Sequence, residues 1–397
     1  MNKATAFIIL FFLPFVYIDT ALAQATKFVK DGTRQIYWGD GKLMVEASFK
    51  DGKQDGPERV YWPDGKLQSI KNYKEGRRDG TAKYYYKTGE LKSEQIFRNG
   101  KHEGTARYYY KDGNLKSEQP YWNGKRNGIC RLYNAKGSVI LEQSFKNDKR
   151  DGMLVCYYAG SPYLAVKPAQ DEIQKDMAYV KGQIKTEEPY KDGKRQGVAR
   201  YYYENGRLKS QQIYKNDQRE GLTQYYYEDG QLAVEEYYVN GSLEGLVRDY
   251  YPGGNVKAEI PYKDSKIDGV ARYFHENGKL QLEQSYKNGL REGLTRAYYL
   301  SGNIRSDSLY IYDKLEGVVL NYYESGRLRA ERPYKAGLAQ GTWRFFYENG
   351  KIKAEVPFIN GKLEKMWEYY FEDASETEAE QDTNVGENAR VFILNPE

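Results

Sequence analysis

A glycine returns every 24 residues along most of this chain, and that beat constrains the fold more than any other feature. One set occupies positions 32, 56, 80, 104, 128 and 152, then 197, 221, 245, 269, 293, 317 and 341. A second set keeps the same step at 41, 65, 89, 113 and 137, then 182, 206, 230, 254, 278, 302, 326 and 350. The single exception is a step of 45 residues, which places a 21-residue insertion within one unit. Self-similarity at a fixed short period marks a repeat architecture, in which each unit completes its packing against its neighbours.

Within a unit, two β-prone runs flank an Asp-Gly or Asn-Gly pair, as in Tyr108-Tyr109-Tyr110-Lys111-Asp112-Gly113-Asn114-Leu115. Such a pair supplies the positive φ angles of a type I′ turn, so each unit reads as a β-hairpin. With Asp112-Gly113 as a two-residue loop, Arg107 faces Glu118 and Tyr110 faces Leu115. The same register sets Lys83 against Glu94, Arg131 against Glu142, Arg248 against Glu259, Arg272 against Glu283, Arg296 against Asp307 and Arg344 against Glu355. Opposite charges recurring across the pair support it. Alternation then predicts one face with Ala106, Tyr108, Tyr110, Leu115, Ser117 and Tyr121, and another with Arg107, Tyr109, Lys116 and Glu118. The fold class that follows is all-β: an elongated antiparallel β-meander of about 13 tandem 24-residue hairpins, about 27 strands in a single twisted, curved sheet.

The Tyr109 position is aromatic in every unit although it lies on the charged face. It serves either to cover Arg and Lys stems or as a binding platform. The candidate binding face is the row around Tyr85, Tyr109, Tyr202 and Tyr226 with Arg107, Arg200, Lys116 and Lys209. Tyrosine, 41 residues of the chain, suits a thin sheet whose side chains are half wet. The formal charge of +5 is uneven: residues 372–397 carry −7 and residues 1–23 carry 0, leaving +12 on residues 24–371. That basic body suits anionic lipid or glycan partners, or none at all with the charges simply solvated.

Three segments stand outside the beat. Residues 1–23 hold one Lys, an apolar run from Ala6 to Ile18 and Ala21-Leu22-Ala23 before Gln24. They read as a secretory signal too short to span a membrane, with an uncleaved anchor as the alternative. The chain is therefore expected outside the cytoplasm: periplasmic, at the cell surface or secreted. The insertion at about 159–181 is expected to carry a short helix from about Pro168 to Val180, and is either a specificity element or inert. Beyond the array of residues 24–371, whose last strand is expected near Met366–Phe371, the acidic tail 372–397 is poor in aromatics until Phe392 and reads as disordered.

No nucleophile elbow, phosphate-binding loop, zinc spacing or dinucleotide fingerprint occurs. His102, near an inter-hairpin turn, and His275, in place of a tyrosine, read as structural. Cys130 and Cys156 fall on strands separated by a return strand, about 10 Å apart and beyond disulfide reach. Each Asp-Gly turn offers one carboxylate or amide where calcium collects six to eight oxygens. The reading is thus a non-enzymatic protein with no cofactor, no metal and no nucleic-acid partner.

The run Tyr190-Lys191-Asp192-Gly193-Lys194-Arg195-Gln196-Gly197, followed by Tyr203-Glu204-Asn205-Gly206-Arg207-Leu208-Lys209, resembles the bacterial variant of the MORN (membrane occupation and recognition nexus) repeat, a likeness that extends over roughly residues 28–371. The resemblance implies a β-hairpin array without catalysis, used for protein contacts, dimerisation or attachment near lipid. It also implies the antitoxin label often given to the bacterial variant, from which the export signal departs. The functional expectation is an exported scaffold with a protein partner, with an immunity protein against one toxin and a binder of anionic glycan or phospholipid as alternatives.

Overall fold

The computed structural model describes residues 30–158, 164–165, 180–364 and 368–370. The expected signal, most of the insertion and the acidic tail lie outside the described residues, as do Met366, Trp367 and Phe371 of the last expected strand. Only Glu368–Tyr369 represents it, paired with Ile352–Ile359. The chain divides into two compact units, Met1–Asn114 with Tyr121–Gly124 and Leu115–Pro120 with Lys125–Glu397.

In both units the described residues are strands and turns without a helix, and the long strands pair antiparallel in chain order, with one parallel contact between Val139 and Lys181 at the base of the insertion. In the first unit Gly32–Tyr37 pairs with Leu43–Lys50, which pairs with Lys53–Tyr61, then Leu67–Lys74, Gly80–Tyr85, Leu91–Arg98 and Gly104–Tyr109. The second unit repeats this from Gly128–Tyr133 and Val139–Lys146 onward. The insertion does not interrupt the ladder, because Lys149–Tyr157 pairs directly with Ile184–Lys191. At its base, Leu164–Ala165 pairs with Val180–Lys181, so Val180, expected to end a helix, lies in a strand. Residues 168–179 of that helix are outside the described residues.

The charge register holds: Lys83, Arg131, Arg248, Arg272, Arg296 and Arg344 face the acids expected of them. The turn chemistry requires a correction. At the hairpin tip the amide of Tyr110 donates to the Asn114 carbonyl (2.8 Å) and that of Gly113 to the Tyr110 carbonyl (3.1 Å), which makes a three-residue loop. Only Gly113 takes positive φ, at 87°. This is a type I turn closed by a glycine bulge, not type I′. Asp112 instead accepts the Asn114 amide on its Oδ1 at 3.0 Å, an Asx turn. Type I′ geometry occurs between hairpins, where Asn99 (φ 50°) and Gly100 (φ 81°) join Arg98 to Lys101.

The tip bulge changes the faces. Tyr85, Tyr202, Tyr226 and Tyr250 stand opposite Leu91, Leu208, Leu232 and Val256, each with a register shift one residue before. The expected partner, the third tyrosine of the triplet, does not. Because paired residues share a face, the bulge carries the Leu115 position to the side of the second tyrosine. Tyr133, Val139 and Tyr157 accordingly form a buried apolar cluster with Leu115, Val155 and Ile184.

A second irregularity precedes each first-set glycine. Between the pairs Phe97–His102 and Glu94–Arg107 the outgoing strand holds four residues against two. The outgoing strand therefore often comes in two pieces, as Lys101–His102 and Gly104–Tyr109, and 38 strand segments are found among the described residues where about 27 strands were expected. Cys130 and Cys156 are free thiols, and burial pushes the Cys130 thiol up to about 11.

Candidate functional site

The face carrying the second tyrosine is a hydrogen-bonded ladder. Glu142 accepts Arg131 Nε on Oε1 (2.9 Å) from its own hairpin and the Tyr157 hydroxyl on Oε2 (2.7 Å) from the next repeat. Glu283 does the same with Arg272 (3.0 Å) and Tyr298 (3.0 Å). Each carboxylate is thus held from both sides, within its hairpin and between hairpins. Charge-assisted bonds of this kind are the stronger class.

The eight residues singled out from the sequence are spread over both units. In the first unit, Tyr85 stands opposite Leu91, Arg107 pairs with Glu94, and the Tyr109 carbonyl accepts the Tyr86 hydroxyl at 2.7 Å. In the second, Tyr202 donates to Glu187 Oε2 at 2.7 Å, Tyr226 to Gln224 Oε1 at 3.0 Å, and Arg200 Nε to Gln211 Oε1 at 3.4 Å. Burial, then the bond to Glu187, pushes the Tyr202 hydroxyl up to about 12. Lys209 lies with Nζ 5.3 Å from the Tyr203 ring centre. Tyr203 follows Tyr202 and so points to the opposite side, which separates Lys209 from Tyr202 and Arg200. Lys116 occupies the same position of its own return strand, Leu115–Trp122.

Three recurring devices escaped the sequence reading. The third tyrosine of the triplet reaches across the return strand: Tyr86, Tyr203, Tyr299 and Tyr323 donate at 2.7 Å to the carbonyls of Tyr109, Tyr226, Tyr322 and Phe346. The acid or amide before most first-set glycines caps the turn 20 residues on. Asp79 accepts the Asn99 amide at 3.0 Å and Glu220 the Asn240 amide at 2.7 Å. Asp, Glu, Asn or Gln at every one of those positions was the legible signal.

The third device is apolar. The residue after each first-set glycine shares the ladder face, and along five successive repeats of the second unit it is apolar and exposed: Leu222 41%, Leu246 36%, Val270 39%, Leu294 45% and Val318 49%. Its cross-strand partners include Tyr237 (48% exposed), Pro261, Leu309 (39%) and Pro333. The result is an open apolar stripe.

Two shallow hollows lie along the sheet, the second on the face opposite the ladder. One of about 230 Å³ is lined by Lys146, Asn147, Lys149, Asp151, Lys191 and Asp192. Another of about 330 Å³ is lined by Tyr273, Gln281, Leu282, Gln284 and Arg305. Among the described residues no group of three His, Cys, Asp or Glu side chains gathers as a metal ion requires. His102 is packed between Phe97 (ring centres 4.3 Å) and Tyr121 (4.7 Å), and burial, then Arg78, lowers its pKa.

A family model described as MORN repeat variant matches ten segments, at residues 30–51, 54–75, 78–99, 103–123, 195–216, 219–240, 243–264, 267–288, 315–336 and 339–360, together more than half of the chain. Comparison with curated proteins finds no match. Among solved structures, one titled as a TcdB2–TccC3–Cdc42 crystal structure is 11% identical over 82% of this chain and 21% of its own, with a TM-score of 0.13. The Photorhabdus luminescens Tc holotoxin pore is 11% identical over 86% of this chain and 24% of its own, with a TM-score of 0.12. The chain therefore spans about a fifth to a quarter of the length of those structures.

Proposed function

We propose that this chain, which belongs to the MORN repeat variant family, is an exported, non-enzymatic scaffold whose ladder face holds a protein partner of the cell envelope. The family supplies the coarse statement, a repeat scaffold for protein or membrane interaction. One observation carries the finer one: the same arginine, tyrosine and apolar side chains recur at a fixed spacing on one open face. An extended, repeated surface suits a long partner contacted at many equivalent points. Export rests on the apolar run Ala6 to Ile18 and the small residues Ala21 and Ala23.

The test is a cross-linking capture from whole cells with the full chain, against a variant carrying Arg200→Ala, Arg248→Ala, Arg272→Ala and Tyr226→Ala. Loss of the captured partner while circular dichroism is unchanged supports the reading. Retention of every partner overturns it, and a single tightly bound toxin would shift the assignment to an immunity protein. Mature mass after expression in a host with an envelope tests export: cleavage after Ala23 is expected.

A binder of anionic lipid or glycan is the second reading, favoured by exposed lysines beside the apolar stripe. Salt-sensitive pelleting with anionic vesicles or cell-wall polysaccharide tests it.

A further inference from the structure

The apolar stripe of the second unit is bordered unequally. On one side runs the ladder, where Arg248–Glu259 (3.1 Å), Arg272–Glu283 (3.0 Å) and Arg296–Asp307 (2.7 Å) neutralise one another. On the other, at the type I′ turns, stand Lys263, Lys266, Lys287, Lys314, Lys335 and Lys362, all exposed and none engaged in an ion pair. Lys263 pairs with Lys266 across the turn, two residues beyond Pro261 of the stripe, so this lysine row shares the stripe's face. The surface therefore asks for a ligand with an apolar edge and a row of carboxylates beside it.

The chain's own C-terminal segment has that chemistry. In Glu376-Thr377-Glu378-Ala379-Glu380-Gln381-Asp382 the acids fall at every second position, so an extended chain presents all four carboxylates to one side. Val391-Phe392-Ile393-Leu394 supplies the apolar residues. Reach is sufficient: the roughly 20 residues from Phe371 to Val391 span about 70 Å when extended. A hairpin repeat is about 10 Å wide, so the segment can pass about seven repeats and reach the whole stripe.

We propose that residues 376–394 dock along this stripe, the acids against the lysine row and Phe392, Ile393 and Leu394 on Leu294, Leu309 and Val318, so that the chain covers its own interaction face. This goes beyond the scaffold reading. It needs no partner to be tested, so its failure is distinguishable from failure of that reading.

The test is zero-length carbodiimide cross-linking of the full chain at low concentration, with ¹⁴N- and ¹⁵N-labelled protein mixed. Expected are links from Glu376, Glu378, Glu380 or Asp382, which lie within about 37 Å of Phe371 along an extended chain, to Lys287, Lys314, Lys335 or Lys362 within one copy. Those links should fall at least threefold in Phe392→Ser with Leu394→Ser, which leaves the array untouched, and again in ~1 M salt. Absence of the links, links to lysines elsewhere on the array, links only between differently labelled copies, or indifference to the double substitution would each overturn the proposal. Links between copies would identify a second chain as the occupant. A control with bis-ANS gives the complementary reading: the double substitution should raise dye binding at least twofold, and unchanged binding counts against a covered stripe.

Discussion

The third tyrosine of each triplet works at a distance, its hydroxyl meeting a backbone carbonyl 23 positions on, next to the last ladder pair. Tyr203 does this at the Tyr226 carbonyl, where the pairing of Leu208–Lys215 with the following strand has already ended at Ser210 and Tyr225. A half-buried carbonyl left without a donor costs about 1 kcal/mol or more. Tyr203→Phe is expected to lower stability by that amount in urea unfolding, with the slope unchanged. His275 stands at the same position with its Nε2 buried and unpartnered, and His275→Tyr should raise stability by about 1 kcal/mol by offering a hydroxyl to the Tyr298 carbonyl.

Ionisation provides a second measurement at this scale. Burial, then the bonds to Glu187 and Glu236, pushes the hydroxyls of Tyr202 and Tyr238 up to about 12, from an ordinary value of 10.0. Folding therefore favours the protonated phenols. Their contribution is full below pH 10 and is lost as pH rises through about 12. The share of tyrosinate absorbance that Tyr202→Phe with Tyr238→Phe removes should emerge together with loss of the strand signal above pH 10; its appearance near pH 10 in a still-folded protein would contradict this.

At the scale of the hairpin, Gly293 and Gly278 differ in what they forbid. Gly293 has φ 112°, and a Cβ there would sit 2.9 Å from Ser285 Cβ; Gly278 has φ 80° with open space around it. Gly293→Ala thus adds a collision to backbone strain and is expected to cost about 2 to 3 kcal/mol, against about 1 kcal/mol for Gly278→Ala. Equal losses in parallel urea titrations would remove this distinction.

Much of the hairpin was legible in the sequence because the glycine beat and the Arg–Glu spacing fix parity independently of turn type. What was not legible came from bulges. Asp112-Gly113 looks like a type I′ pair, yet Asp112 serves through its carboxylate rather than through its backbone angle, and the resulting one-residue slip moves Leu115 across the sheet. The slip is local and leaves opposite-charge pairs such as Lys83–Glu94 in register, so nothing in the charge pattern betrays it. The row of Asp, Glu, Asn and Gln before the first-set glycines was visible, but without the type I′ turns 20 residues away it had no assigned partner. Of the candidate site, Tyr202 and Arg200 do share a face. Lys209 does not, for the same reason as Leu115.

For the molecule, stability within the second unit should behave as a sum of repeats and their shared borders. Excising Gly245 to Asp268, one period, joins Glu244 to Gly269 with each cap, tyrosine and glycine in its usual relation to the next. The shortened chain is expected to fold, with circular dichroism per residue unchanged and a urea slope reduced in proportion to its lost length. Removing half a period instead should abolish folding, because outgoing strands would then meet outgoing strands.

The seam at the insertion shows how far this tolerance goes. Tyr158 donates to the Tyr202 carbonyl at 2.8 Å across 44 positions, and Gly152 still pairs with Tyr190, so the array is sewn shut beneath the extra loop. The base of the insertion is stitched in as well, Lys181 meeting Val139 of the neighbouring strand. Foreign sequence grafted between residues 165 and 180 is therefore expected to leave the weave intact, because the stitches on either side of it, Tyr158 to Tyr202 and Gly152 to Tyr190, close without it.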